Sequence, residues 1–291
     1  MSEIRRIGET SDTLGEGPVW DVEEQAFYWV DIRGRAVRRY DWRAGTVKSW
    51  TLPEMVGSLA VRRRGGLLLA MQRSISFFEP TSGKLGHVAA PEAGREGMRF
   101  NDGKCDRQGR FWVGSMNDSV RAPSGTLYRL DAQRGCVPMV SGIITPNSLA
   151  WSPDGRTMYF SDSRSQVIAA YPFDPATGEI GVPRAFYRVD PPAIPDGATV
   201  DAAGYVWCAL YGGWRIARIA PDGRLDRTIE LPVQQPTSCQ FAGPDLDVLL
   251  VTTAKQRLAS DELAKQPLAG ALLAIEVGVE GLPETRYRDT A

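Results

Sequence analysis

The sequence predicts an all-β protein: a six-bladed β-propeller of four-stranded antiparallel blades around a central channel, with residues 1–291 forming a single domain. Three observations predict it. One pattern of residues recurs six times along nearly the whole chain. The composition, with 30 Gly, 20 Pro and 8 Trp among 291 residues, suits many short strands joined by tight turns. No stretch has the 3.6-residue periodicity of a long amphipathic helix.

The repeated pattern is a polar residue, an apolar alternation, a turn with Asp or Gly, then an apolar-aromatic strand. It begins at Glu16 (EGPVWDVEEQAFYWVD), Ser58 (SLAVRRRGGLLLAM) and Asn101 (NDGKCDRQGRFWVGSM). It recurs at Asn147 (NSLAWSPDGRTMYFSDS), Asp196 (DGATVDAAGYVWCALYGG) and Ser238 (SCQFAGPDLDVLLVTTA). The spacing is about 40 to 50 residues. A further strand pair follows each copy, as at 36–41 with 46–51, 126–131 with 136–141 and 167–172 with 184–189. Each repeat therefore holds about four strands. One blade cannot bury both of its faces, whereas blades stacked around an axis can, and closure leaves few exposed edges. The short segment 3–8 is expected to pair with the last blade and close the ring. The one helix-prone piece, 260–266, falls in a long loop of the last repeat. A β-sandwich or two smaller β domains would not produce six copies at near-even spacing.

Several function classes are excluded or disfavoured. A formal net charge of −1 gives no footprint for nucleic acid or an anionic membrane. No run approaches the ~18 apolar residues of a membrane span, and the first ten residues lack an apolar signal core. A cytoplasmic protein, monomeric or a small homo-oligomer, is expected. Cys105, Cys136, Cys208 and Cys239 are far apart and read as reduced core thiols. The single histidine, His87, is expected in an exposed turn at 83–87. A site of several histidines is impossible, and no G-x-S-x-G accompanies His87 for a triad.

The topology gives the polar residues their meaning. The first strand of a blade runs nearest the axis, and the residue opening it stands at one end of the channel. Glu16, Ser58, Asn101, Asn147, Asp196 and Ser238 hold that phase in successive repeats. Two carboxylates and two carboxamides are thereby aimed at one axial point, with Ser58 and Ser238 as channel lining. Asn and Asp are also common turn formers, but four at one phase exceed what turns require. An oxygen-only set suits hard divalent cations such as Ca²⁺, Mg²⁺ or Mn²⁺. The loops above the ring each carry an arginine: Arg33, Arg73, Arg121, Arg164, Arg215 and Arg257. Arg99 precedes Asn101, and Trp214 offers an aromatic face. A basic rim with an aromatic plate suits a small polyhydroxylated or anionic ligand.

The same stretches resemble the SMP-30/gluconolactonase/regucalcin family. The resemblance is carried by LGEGPVWD (14–21), RFNDGKCDRQGRFWVGSM (99–116), PNSLAWSPDGRTMYFSDS (146–163), IPDGATVDAAGYVWCALYGG (194–213) and KQPLAGALL (265–273). It implies a propeller that hydrolyses a sugar lactone with one divalent metal, Ca²⁺ foremost, with Zn²⁺, Mn²⁺, Mg²⁺ and Fe²⁺ as alternatives. It implies Glu16, Asn147 and Asp196 as metal ligands, Asp196 as general base, and Arg99 and Asn101 as substrate contacts. Asp102 matches too, in a turn or supporting role. Arg164 and Trp214 are added to the substrate contacts from the rim. Two departures stand at the mouth. Animal regucalcin-like members carry an acidic pair where this chain has Asn117-Asp118-Ser119, and Trp214 stands where glycine is common. Two rival readings remain at this stage: a metal-binding or interaction propeller without catalysis, and a propeller hydrolase of another ester class.

Overall fold

The structure, a computed structural model, describes residues 3–131 and 135–289. Twenty-four strands form six four-stranded sheets. Blade 1 holds β2 (Gly15–Asp21), β3 (Ala26–Asp31), β4 (Ala36–Asp41) and β5 (Thr46–Thr51) in that order. Blade 2 runs from β6 (Val56–Val61) through β7 (Leu67–Met71) and β8 (Ile75–Glu79) to β9 (Lys84–Ala89). Blade 3 runs from β10 (Met98–Cys105) through β11 (Phe111–Asn117) and β12 (Gly125–Asp131) to β13 (Gly135–Ile143). Blade 4 has β14 (Pro146–Trp151), β15 (Thr157–Asp162), β16 (Val167–Pro172) and β17 (Arg184–Arg188). Blade 5 has β18 (Ile194–Val200), β19 (Val206–Tyr211), β20 (Arg215–Ile219) and β21 (Leu225–Glu230). Blade 6 takes β22 (Pro236–Ala242), β23 (Val248–Thr253) and β24 (Leu272–Glu276). Its fourth, outer strand is β1 (Ile4–Ile7), which pairs antiparallel with β24. The expected closure by segment 3–8 is what forms.

The innermost strands β2, β6, β10, β14, β18 and β22 neighbour one another in sequence, and β22 returns to β2. Burial follows distance from the axis. β2, β6, β10 and β22 are buried at every position, whereas the outer strands β5 and β21 are mostly exposed and β9 is half-buried to exposed. The second strands read as the most continuous apolar runs, as in LLLAM of β7, whereas the buried inner strands keep polar residues, as in MRFNDGKC of β10. Alternate residues on a strand face opposite neighbours. In β19, Val206, Cys208 and Leu210 pack toward blade 4, while Trp207 and Ala209 pack toward blade 6. Six apolar clusters result, one for each interface between adjacent blades. Each fully buried large side chain contributes about 1.5–3 kcal/mol, and the tryptophans Trp20, Trp29, Trp112 and Trp207 supply the largest of them.

The turns between first and second strands share a device. Asp106 accepts the amides of Gln108 and Arg110 and the indole N–H of Trp112. Asp201 does the same for Ala203, Tyr205 and Trp207. One carboxylate thus fixes a turn and anchors a core tryptophan, which is why D-x-x-G-x-x-W recurs. All four cysteines are free, with Cys105, Cys208 and Cys239 buried. His87 is exposed, as expected, but it sits on β9 and not in a turn, because the strand continues through Gly86 in register with β8. The helix in the last long loop is Ser260–Ala264. No helix of the described residues is long and apolar enough to cross a membrane.

The C-terminal segment closes the end of the channel where the inner strands finish. Gly281 bridges Asp201 of blade 5, and Arg286 grips Asp21 with two bonds of 2.6 and 2.7 Å and reaches Glu23 at 2.7 Å. Tyr287 pairs with Val61 and Arg63, and Arg288 with Gly109. This segment ties together blades joined otherwise only through their neighbours. Replacing Arg286 by Ala is expected to lower unfolding free energy by about 1.5–3 kcal/mol, the range for hydrogen bonds to charged groups, in urea titrations at neutral pH. An unchanged midpoint would show the clasp to be dispensable.

Candidate active site at the channel mouth

The ring residues do not open their strands, as the sequence alone leads one to expect. They stand one to three residues inside, next to a register shift. The shifts fall between Glu16 and Val19, Val56 and Ser58, Phe100 and Gly103, Asn147 and Ala150, Pro195 and Ala198, and Pro236 and Ser238. A bulge bends a strand and re-aims a side chain. A bulge recurs in all six inner strands, and the side chains of Glu16, Asn101, Asn147 and Asp196 line one cavity, whereas Ser58 and Ser238 are buried and do not line it. Glycine makes the close approach possible. A Cβ on Gly197, the residue after Asp196, would overlap the Ser238 side chain and lie 2.9 Å from its Cα. Gly17, after Glu16, has φ +55°, and a Cβ there would lie 3.1 Å from the Ser58 Cα.

Glu16, Arg99, Asn101, Asn147, Arg164 and Asp196 all line one cavity of ≈ 170 Å³ at this mouth. Glu16, Asn101, Asn147 and Asp196 are buried at its floor. Asn101 donates to the Pro146 carbonyl at 2.9 Å and to Asn147 Oδ1 at 3.0 Å. Asn147 donates to Ser163 Oγ at 2.8 Å. These bonds fix both carboxamides, and Asn147 Oδ1 keeps a second lone pair. Arg99 donates to Asn101 Oδ1 and Asp118 Oδ1, both at 2.7 Å, and to its neighbour's carbonyl, Phe100 O, at 2.9 Å. Asp102 lies beneath, buried, and accepts the Leu149 amide at 2.9 Å.

The electrostatics of the floor are unbalanced. Burial, then the charges of Asp196 and Asp102, push the Glu16 carboxyl well above its ordinary range. Burial, then Asp102, do the same to Asp196. Asp196 Oδ1 is buried and has no hydrogen-bond partner. Two buried carboxyls in direct interaction need either a shared proton or a cation held by both. Among the described residues no group of three His, Cys, Asp or Glu could hold a metal. The candidate set is instead two carboxylates and a carboxamide oxygen, which is a hard-cation donor set.

The rim differs from expectation. Of the six loop arginines, Arg33, Arg121, Arg164 and Arg257 line the cavity, and Arg73 and Arg215 do not. Trp214 is also outside it. Its main chain, in the left-handed region (φ +59°), bonds Gln234 and Leu231, beyond the outer strand of blade 5. The sequence assigned no role to Asp118, Tyr211 or Gln256, which line the cavity. Their signal was positional: they follow or end a second strand, as Asp118 and Tyr211 do in blades 3 and 5. Asp118 binds Arg33 with two bonds of 2.6 and 2.8 Å, besides Arg99. Burial raises its pKa, but the Arg33 hydrogen bonds and the Arg99 charge outweigh that and hold it at about 2.

Six blades in a ring with a carboxylate-and-amide floor, entered between arginines, define a small-molecule site at the mouth of a β-propeller. The chain belongs to the SMP-30/Gluconolactonase/LRE-like family, whose model matches residues 14–255. It is 38% identical over 289 residues to 6-deoxy-6-sulfogluconolactonase of Pseudomonas putida, covering 98% of each chain. It is 34% identical to regucalcin of Gallus gallus, covering 97% of each. A solved calcium-binding protein, regucalcin of Agrobacterium tumefaciens, superposes with a TM-score of 0.95 at 30% identity, covering 99% of this chain and 98% of that one.

The Asp118 pairing has a pH signature. A carboxyl depressed in the folded state stabilises fully above its unfolded value of about 3.9, and that stability is lost as pH falls toward its folded value of about 2. Asp118→Asn should therefore be less stable than the parent at pH 7. The gap should close between about pH 4 and pH 2. A gap that persists at pH 2 in denaturant titrations would assign the loss to packing.

Proposed function

We propose that this protein is a lactonase that opens a sugar lactone to the free sugar acid, with one divalent cation held by Glu16, Asn147 and Asp196. The observation that carries the cation is the floor of the cavity, where two interacting buried carboxyls face an amide oxygen and one carboxylate oxygen lacks any partner. The name of the Pseudomonas putida relative, a sulfogluconolactonase, supports the reaction. A bound divalent cation, Ca²⁺ foremost, would polarise the lactone carbonyl and stabilise the charge that develops on its oxygen.

The chain's own residues divide the remaining work. Asp196 takes a proton from the attacking water, a task to which its unpartnered oxygen is free. The water oxygen bonds the acyl carbon, the ring C–O bond breaks, and the ring oxygen leaves as a hydroxyl once protonated. Arg99 and Asn101, locked by Asp118, Pro146 and Asn147, orient the sugar ring so that the carbonyl meets that water. Arg164 lies on the same wall. With five arginines lining the cavity against Glu16, Asp118 and Asp196, an anionic sugar lactone is favoured over a neutral one.

Purified protein should release acid from aldonolactones in a pH-stat, and EDTA should stop it with recovery on adding Ca²⁺, Mn²⁺ or Zn²⁺. Asp196→Asn should lower kcat by ~10²–10⁴-fold, the range for general-base help, and weaken metal binding. Turnover indifferent to both EDTA and the Asp196 change would sink the assignment.

A further inference from the structure

The five arginines at this mouth fall into two electrostatic kinds. Arg33 and Arg99 share the carboxylate of Asp118, at 2.6 to 2.8 Å. Arg121, Arg164 and Arg257 line the same cavity, yet among the described residues none of their guanidinium groups forms an ion pair with any carboxylate, Glu16 and Asp196 included. Asp162 lies near Arg164, but its oxygens accept the backbone amides of Ile144, Thr145 and Arg164. The three come from three blades: Arg121 before β12, Arg164 after β15, and Arg257 after β23. They are close enough that Arg121 and Arg257 both oppose the charge on Arg164.

Such an arrangement is unfavourable by itself. Like charges repel, and side chains this long lose entropy when gathered. Arg257 adds a backbone cost, because its φ of +62° is a conformation glycine holds more easily. It is held there by the Lys255 and Gln256 amides, both bonded to Thr13 O. An anion resolves the repulsion. A planar carboxylate at this mouth is satisfied by two arginines, as Asp118 shows. Three unpaired guanidiniums match a head group with three terminal oxygens.

We infer that Arg121, Arg164 and Arg257 form a subsite for a tetrahedral oxyanion, a sulfonate or phosphate, carried on the sugar lactone away from its reacting carbonyl. This rests on the reading of the site as a lactonase and specifies its substrate class. The head group anchors at the rim while the ring lies over the floor carboxylates, so binding energy from a non-reacting group positions the carbonyl.

The test compares kcat/KM for gluconolactones bearing sulfonate, phosphate, carboxylate or hydroxyl at C6, at low and at 0.5 M salt. The wild type should prefer the sulfonate or the phosphate, and salt should erode that preference. Arg121→Ala, Arg164→Ala and Arg257→Ala should each lower the ratio of anionic to neutral kcat/KM by about tenfold to a hundredfold. Arg73→Ala, on the same rim but outside the cavity, should leave the ratio unchanged. The sulfonate and phosphate arms decide which head group is read. Equal use of all four lactones, an equal preference for the carboxylate, or ratios unmoved in the three variants would overturn the subsite and leave the lactonase reading standing. If no lactone is opened, titration of 6-sulfogluconate and 6-phosphogluconate by calorimetry still decides it. Binding that weakens in the variants supports the subsite, and no binding overturns it.

Discussion

Two buried carboxyls, Glu16 and Asp196, interact at the point where six strands converge, and most of the architecture can be understood as what makes that tolerable. Removing charge from water costs several kcal/mol per group even after relaxation. Neither acid is given a basic side chain within ion-pairing distance among the described residues. The floor must therefore be held by something stronger than its own preferences. Six interblade apolar clusters and a ring closed by β1 on β24 supply that hold. The bulges in the inner strands then transmit it by bringing one strand against the inner strand of the next blade, as Gly17 meets Ser58 and Gly197 meets Ser238.

The two ends of the channel solve the burial problem differently. Toward the far end, Lys104 is buried and donates to the Ala198 carbonyl, Gln240 and Glu284 at 2.9 to 3.3 Å. Asp102, between the ends, feels that positive charge. The chain thus neutralises its interior acid where the C-terminal segment seals the channel. At the open mouth Glu16 and Asp196 form no such ion pair among the described residues. That asymmetry separates a packed plug from a site that leaves its charge to an external partner.

Much of this was legible from residues alone. The fold was written in the even spacing of six copies, and the floor in the shared phase of Glu16, Asn101, Asn147 and Asp196. What phase could not convey was depth. The bulges that set these residues inside their strands leave no mark on an apolar alternation beyond the glycines at 17, 57, 103 and 197. Loop geometry was less legible still. Trp214 and Arg215 share the loop phase of Arg164, but blade 5 turns through Gly212-Gly213 and leaves Trp214 outside the cavity, bonded to Gln234 and Leu231. Asp118 went unread for the opposite reason. It was weighed against the acidic pair of related chains, while its partners Arg33 and Arg99 lie 85 and 19 residues away.

The pairing at Asp118 also shows how one scaffold can serve several substrates. The floor is built from the inner strands, where any change in backbone position meets a neighbour; at Gly197 even a methyl group collides. The rim is built from loops, where Arg121, Arg164 and Arg257 are exposed and a substitution disturbs little else. Reaction and recognition are therefore under different mechanical constraints. Asp118 sits at the join. By taking up Arg33 and Arg99 it fixes the residue that grips Asn101 at the floor, and it engages two of the five arginines while offsetting the charge of one. The number of guanidiniums left free to bind an anion at the mouth is set by how many that single carboxylate does not reach.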